Sequence, residues 1–370
     1  MAEKYTTVHY ENYLGLDKIL DAQHPRSTRA DGSVAHEEML FIVVHQSYEL
    51  WFKQIIHELT SVLDMFRDRD LDAQEIGVAI QRLKRVDKIV HLLTDQLPIL
   101  ETMTPFDFLD FRSYLFPASG FQSYQFRMVE NLLGLRDADR MTYNGCPYHH
   151  AFRDEQATEL REAEVELTLF TAVEQWLERT PFVRYGDWDF LAAYEAAVKT
   201  MLEKEAAAIR ASAYLNDTET EQRLRMLGAT GEYFRTVLRP EFHADRQQRG
   251  EVRLSYRATV AALFIHLYRD EPILHLPFQL LRAVKDIDQS LTGWRHRHAQ
   301  MVLRMLGNKI GTGGSSGHQY LHATAERHPI FRDLHNISTL LIPRSDLPKL
   351  PEAVRRVLDY NWRTGGNGEV

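Results

Sequence analysis

Residues 294–317 constrain this chain more than any other stretch: Trp-Arg-His-Arg-His-Ala-Gln-Met-Val-Leu-Arg-Met-Leu-Gly-Asn-Lys-Ile-Gly-Thr-Gly-Gly-Ser-Ser-Gly. Ile287, Leu291, Trp294, Met301, Val302 and Met305 recur at the three-and-four spacing of one helix face. His298 falls on that face, where a leucine is expected. A buried imidazole needs a partner, because burying an unpaired polar group costs free energy. The spacing leaves two partners open, a hydrogen bond within the core or a metal ion. The glycine-rich loop that follows lets backbone approach a ligand closely, and Thr312 adds a hydroxyl. A phosphate cradle is excluded. That pattern needs Gly-Lys-Ser/Thr opening a helix after a strand, whereas here Gly317 is followed by His318 and the loop follows a helix.

The chain has 370 residues, 44% of them hydrophobic, and a formal net charge of −8. The apolar content can build a sizeable core, and the acidic balance argues against a nucleic-acid partner. The basic pair Arg295 and Arg297 then reads as a solvated helix face or as the partner of a local carboxylate. One cysteine, Cys146, excludes an internal disulfide and a thiolate cluster and suits a reducing compartment. The N-terminal segment has no apolar core, and the longest apolar run, Thr259 to Tyr268, is about half of a membrane span. A cytoplasmic protein without a membrane partner is expected.

Helical periodicity dominates, so the expected class is all-α. The long segment 36–67 carries Met39, Leu40, Val43, Leu50, Ile55, Leu59 and Val62 on its apolar side. Further helices are expected at 71–97, 121–135, 155–178, 187–212, 218–240, 254–268 and 277–307. Pro98, Pro105 and Pro117 are expected to break the chain around a short piece, 106–112, and residues 136–154 read as an exposed loop. Residues 200–250, rich in Glu, Ala, Arg and Gln, read as a solvated helical insert, and the last residues as a frayed tail.

Two further places can carry chemistry. Phe41 and His45 share a helix face, one turn apart, which suits a flat heteroaromatic ligand with one polar edge or ordinary core packing. Arg112 lies in the proline-bounded piece, one turn after Phe108, where its guanidinium suits a carboxylate held at two points. The alternative is a surface salt bridge. No metalloprotease or serine-hydrolase pattern is present: His36-Glu-Glu-Met-Leu and His57-Glu-Leu-Thr-Ser lack a second histidine, and Gly314-Ser-Ser-Gly is not a nucleophile elbow. Taken together, the candidates describe a pocket for an aromatic amino acid. Two phenylalanines would hold a ring, an arginine its carboxylate, a threonine its ammonium and a histidine its ring N–H. A buried histidine on another helix would hold iron.

The chain resembles the tryptophan 2,3-dioxygenases, a haem enzyme family. The likeness rests on Tyr10-Glu-Asn-Tyr-Leu-Gly-Leu-Asp-Lys-Ile-Leu-Asp-Ala-Gln23, on His36-Glu-Glu-Met-Leu-Phe-Ile-Val-Val-His-Gln-Ser-Tyr-Glu-Leu-Trp-Phe-Lys53, on Phe111-Arg through Ala-Ser-Gly-Phe-Gln-Ser to Arg127, and on Trp294 to Gly317. Weaker matches run through Tyr256-Arg-Ala and Phe278-Gln-Leu-Leu, so the likeness spans roughly residues 8–350.

The resemblance implies a mostly helical subunit holding haem b, one per chain, with His298 as the axial ligand of its iron and Trp294, Ser119 and Gly120 beside the cofactor. Ser119 and Gly120 would form a strand-like stretch over the haem edge. It implies that Phe41 and Phe108 pack on the indole of L-tryptophan, that His45 meets the indole nitrogen, and that Arg112 and Thr312 hold the amino-acid end. Tyr10, Tyr13 and Leu14 would enter a neighbouring subunit's site within a homotetramer, a dimer of dimers. The implied division is an arm at 1–35, a core at 36–199 and 251–350, the insert at 200–250, and a tail at 351–370. The implied reaction is cleavage of the indole C2–C3 bond by O2 to N-formyl-L-kynurenine, the first step of tryptophan catabolism by the kynurenine route. Phe108, where bacterial members often carry tyrosine, looks like the animal-type branch, as do Leu341-Ile-Pro-Arg and the 200–250 insert. Two rivals remain on the same scaffold: mono-oxygenation of a substituted tryptophan, and a non-catalytic haem or tryptophan sensor.

Overall fold

Apolar residues at helical spacing become helices along most of the chain. The computed structural model describes residues 7–28, 31–67, 71–142, 147–181, 183–307, 309 and 317–358. The longer helices are His36–Arg67, Ala73–Leu100, Phe190–Arg210, Asp217–Val237 and Pro272–Leu306. Shorter ones include Pro105–Arg112, Tyr124–Leu133, Asp154–Val165, Leu169–Glu178, Pro240–Gln248, Tyr256–Leu267 and Gly317–Arg327. Among the described residues the one sheet is an antiparallel ribbon of Arg184–Tyr185 with Trp188–Asp189, turned at Gly186 with φ 58°. The all-α expectation holds. No helix among the described residues is long and apolar enough to cross a membrane.

Several boundaries differ from the periodicity, each for a local reason. The 155–178 segment is two helices, because Thr168 starts a new one: its hydroxyl accepts from the Thr171 N–H at 3.3 Å. The 218–240 segment stops at Val237, and Pro240 opens another helix at its first position, where a missing N–H is tolerated. Pro98 does not break its helix; it sits in the last turn of Ala73–Leu100, where it removes one N–H···O bond and only two helical residues follow it. Pro277 likewise lies inside Pro272–Leu306, which begins earlier than the expected 277. In the 136–154 stretch, expected to be exposed, Arg140 is buried.

The chain divides into two compact units, each assembled from separate stretches. The first comprises Met1–Leu59, Val86–Glu166 and Gln289–Pro329; the second comprises Thr60–Arg85, Leu167–Asp288 and Ile330–Val370. The second is built on Tyr256–Leu267, a helix buried on every side from Ala258 to Leu267. Phe264 of this helix meets Phe190 at 5.2 Å and Tyr268 at 5.1 Å. The 200–250 stretch is not solvated throughout: Phe234, Leu238 and His243 are buried, with Phe234 against Tyr194.

The part of the helix His36–Arg67 that lies in the first unit, up to Leu59, shows two apolar faces. Val44, Tyr48, Phe52 and Ile55 are buried, whereas Met39, Val43 and Leu50, expected on the buried side, are exposed at 43%, 46% and 53%. Residues 22–27 are pinned to the start of this helix. Glu38 accepts from the backbone N–H groups of Arg26 and Ser27 at 2.8 and 2.9 Å, and Gln46 donates to the Ala22 carbonyl at 2.9 Å. Beyond that anchor the arm forms two short helices, Tyr10–Leu14 and Leu16–Leu20, without a buried residue.

Candidate active site

The substrate side begins with a well-capped helix. The Thr104 hydroxyl accepts from the Asp107 N–H at 3.3 Å, the Asp107 carboxylate accepts from the Thr104 N–H at 2.9 Å, and Pro105 takes the first position. The helix Pro105–Arg112 therefore starts at a fixed residue, and Phe108, Phe111 and Arg112 emerge at the three-and-four spacing of one face. Phe111 is fully buried and meets Phe108 edge-on at 5.3 Å and Phe41 at 5.5 Å. Phe41 lies 5.9 Å from Phe108 and 4.0 Å from the His45 ring. Three phenyl rings and an imidazole thus form one cluster, and Arg112 lies half-buried beside it in sequence.

His45 has a defined tautomer. Its Nδ1 lies 2.7 Å from the Phe41 carbonyl oxygen, which can only accept, so Nδ1 carries the proton. The neutral ring then presents Nε2 as a bare acceptor. Burial lowers the His45 pKa, against the opposing pull of that carbonyl and of the Glu49 carboxylate. The ring nonetheless keeps open surface.

His298 shows the same combination. It is half-buried, and its pKa is pushed down to about 4, first by burial and second by the repulsion that a protonated His45 would exert. The ring is neutral at physiological pH and has no hydrogen-bond partner among the described residues. It stacks on Trp294, one turn earlier, with centroids 5.3 Å apart and planes 21° apart. Phe126 packs on the indole at 5.2 Å. A neutral, accessible, unpaired imidazole on an otherwise buried stripe fits one axial ligand of a haem iron, which needs no second protein donor. Among the described residues no group of three metal-binding side chains is present.

The remaining expected residues are placed less uniformly. Ser119 is extended, with φ −150° and ψ 148°, but Gly120–Gln122 is a 3-10 turn, so the strand-like stretch narrows to one residue. The Ser119 hydroxyl caps that turn by accepting from the Phe121 N–H at 3.4 Å. Glu49, one turn beyond His45, ties this segment to the His36 helix: its carboxylate accepts from the Ser123 hydroxyl at 2.6 Å and from the Gln125 amide at 2.9 Å. Tyr10, Tyr13 and Leu14 are exposed at 72%, 77% and 39% in the single chain. Thr312 and Cys146 lie outside the described residues.

A buried ionic cluster escapes the sequence reading. Glu130 is 1% exposed and bonds Arg127 at 2.8 Å, Arg140 at 2.6 Å and Arg295 at 3.0 Å, with His328 at 3.7 Å. Arg295 thus has the carboxylate partner that was one of its two readings, and Arg297 pairs with Glu101 at 2.6 Å. Burial alone would raise the Glu130 pKa; Arg127 and Arg140 outweigh it and hold the carboxyl well below its ordinary range. One carboxylate against three guanidiniums leaves the cluster cationic.

The tryptophan 2,3-dioxygenase family profile matches residues 2–341. The chain belongs to the tryptophan 2,3-dioxygenase family. The tryptophan 2,3-dioxygenase of Bdellovibrio bacteriovorus is 46% identical over 359 residues, covering 97% of this chain and all of the relative. That of Dictyostelium discoideum is 46% identical over 356 residues, 96% of this chain and 89% of the relative. That of Xenopus tropicalis is 44% identical over 351 residues, 94% of this chain and 86% of the relative. Bacterial, amoebal and vertebrate members lie equally near, so overall identity assigns no branch within the family, and the animal-type reading rests on local features such as Phe108.

Proposed function

We propose that this chain is a haem-dependent dioxygenase that cleaves the indole C2–C3 bond of L-tryptophan with O2, giving N-formyl-L-kynurenine. The observation that carries this reading is the occurrence, within one unit, of His298 stacked on Trp294 and of a neutral His45 set in a phenylalanine box, in a chain that belongs to this family along most of its length. Haem b, when bound with ferrous iron, supplies the activation of O2.

The chain's residues do the positioning. His298 would hold the haem iron. Phe41 and Phe108, backed by Phe111, exclude water and fix the plane of the indole. The His45 Nε2 lone pair accepts from the indole N–H and so sets which ring edge faces the oxygen. It orients and does not deprotonate, because an indole N–H is too weak an acid for an imidazole of lowered basicity. Arg112, with Thr312, holds the amino-acid end. The absorption spectrum tests the reading: a Soret band that shifts on reduction with dithionite and again on adding L-tryptophan is expected. A haem-reconstituted protein whose band does not respond to tryptophan contradicts it.

Two substitutions separate the roles. Arg112→Leu is expected to raise KM for tryptophan about ten- to a hundredfold, the worth of a charge-assisted contact of about 1.5–3 kcal/mol. Binding of indole ligands without a carboxylate should be unaffected, and unchanged tryptophan kinetics would remove Arg112 from the site. His45→Ala is expected to lower kcat/KM about 2- to 13-fold, because a neutral hydrogen bond is worth about 0.5–1.5 kcal/mol. Complete loss of turnover, with haem and tryptophan still bound, would make His45 a base.

The working form we propose is a cytoplasmic homotetramer with one haem per subunit, built as a dimer of dimers. Tyr10, Tyr13, Met39, Val43 and Leu50 are exposed in the single chain, and water contact forgoes about 1.5–3 kcal/mol for each large apolar side chain that association could bury. Light scattering should give four times the chain mass. Deleting residues 1–20 should weaken tryptophan binding more than haem binding; a monomer turning over at full rate would contradict the shared site.

A further inference from the structure

Tyr48 carries a hydroxyl that core packing does not require. It lies one turn before Phe52 on the helix His36–Arg67, is 9% exposed, and its ring meets Phe52 edge-on at 6.0 Å. A phenylalanine would fill the same space. The hydroxyl makes two bonds: it accepts from Trp294 Nε1 at 3.4 Å and donates to the Leu93 carbonyl oxygen. Burial pushes the phenol up to about 12, so the proton stays on oxygen and the direction of both bonds is fixed at physiological pH.

Trp294 is the next link. Its bond to Tyr48 is the one hydrogen bond its indole makes among the described residues. Phe126 packs on the indole with the planes 54° apart, and the His298 imidazole stacks on it at 21°. Metal-binding histidines are commonly oriented by a hydrogen bond from their second ring nitrogen to a carboxylate or carbonyl. Among the described residues the His298 ring makes no such bond, and its plane lies within 21° of the indole it stacks on.

We propose that Tyr48 is a positioning residue for His298, acting through Trp294: the series Leu93 carbonyl, Tyr48 hydroxyl and Trp294 indole fixes the indole plane, and the stacked imidazole follows it. This rests on the reading of His298 as the axial ligand. Tyr48 touches neither substrate nor cofactor in this role. It sets the angle at which the imidazole meets the iron and the ease with which that bond is lost.

The test uses the full-length haem-loaded protein and three variants, Tyr48→Phe, Trp294→Phe and the double substitution. Two quantities are read: the iron–histidine stretching band of the oxygen-free ferrous protein, and the rate of haem transfer to excess apomyoglobin. Tyr48→Phe should shift the band and speed transfer about 2- to 13-fold, the range expected for the lost bond to the indole, through which Tyr48 acts. Trp294→Phe should do more. The double variant should match Trp294→Phe alone, because Tyr48 acts only through the indole. An unchanged band in Tyr48→Phe, even with lowered thermal stability, overturns the proposal, as do additive effects in the double variant. Should Tyr48→Phe fail to load haem, Trp294→Phe is read on its own: it removes the indole N–H and leaves the Tyr48–Leu93 bond, and an unshifted band again overturns the proposal. Failure of the ligand reading itself would look different, with His298→Ala retaining a histidine-ligated ferrous band.

Discussion

Replacing His298 by alanine is expected to abolish haem retention and tryptophan turnover while leaving the far-ultraviolet spectrum helical. The helix Pro272–Leu306 does not depend on this residue: Ile287, Leu291, Trp294 and Met305 keep its face buried, and alanine is a better helix former than histidine. What disappears is a neutral imidazole held ready. Its pKa of about 4 means that the surroundings disfavour its charged form, so a proton does not compete with iron for the ring nitrogen. Trp294 loses its stacking partner at 5.3 Å, and the space left is shaped for a five-membered ring. Exogenous imidazole should therefore restore part of the Soret band in His298→Ala. A variant that keeps a histidine-ligated ferrous spectrum without added imidazole would show that another residue holds the iron.

Glu130→Gln is expected to cost about 3–5 kcal/mol, the range seen when one partner of a buried ion pair is removed. The glutamine keeps the shape and an acceptor but leaves the guanidiniums of Arg127, Arg140 and Arg295 buried without a negative charge. The loss is read as a lower urea midpoint. The pH dependence has a definite sign. Because the folded-state pKa of Glu130 is depressed, its contribution is complete above the unfolded value, near 4.5, and is lost as pH falls below it. The wild type should lose stability more steeply than Glu130→Gln as the solution is made acid through that window. Parallel slopes would mean that folding does not depress the Glu130 pKa.

The parts of the site that lie within one turn of a helix are legible in sequence. His298 announces itself by occupying an apolar stripe, and Phe41 with His45 by sharing a face. Phe111 was equally open to reading, since it follows Phe108 at the three-residue helical spacing. The Glu130 cluster was not, because its arginines and histidine come from positions 127, 140, 295 and 328, and nothing local marks them as neighbours. The same distance hides the Tyr48–Trp294 bond. Periodicity also failed to choose between the two apolar faces of His36–Arg67: Met39, Val43 and Leu50 fit the spacing as well as Val44, Tyr48 and Phe52 do, and only the packed structure shows which face the single chain buries. Nor does Pro98 act as a breaker, because the helix is already ending there.

The central claim is that these residues position tryptophan for insertion of both atoms of one O2 molecule. Turnover of L-tryptophan under oxygen-18 gas by the haem-loaded, reduced protein tests it most directly, with the product examined by mass spectrometry. The expected product is N-formyl-L-kynurenine carrying two heavy oxygen atoms. A product with a single heavy atom would make the chain a mono-oxygenase, and tryptophan recovered unchanged from a protein that binds both haem and tryptophan would make it a sensor; either result contradicts the claim.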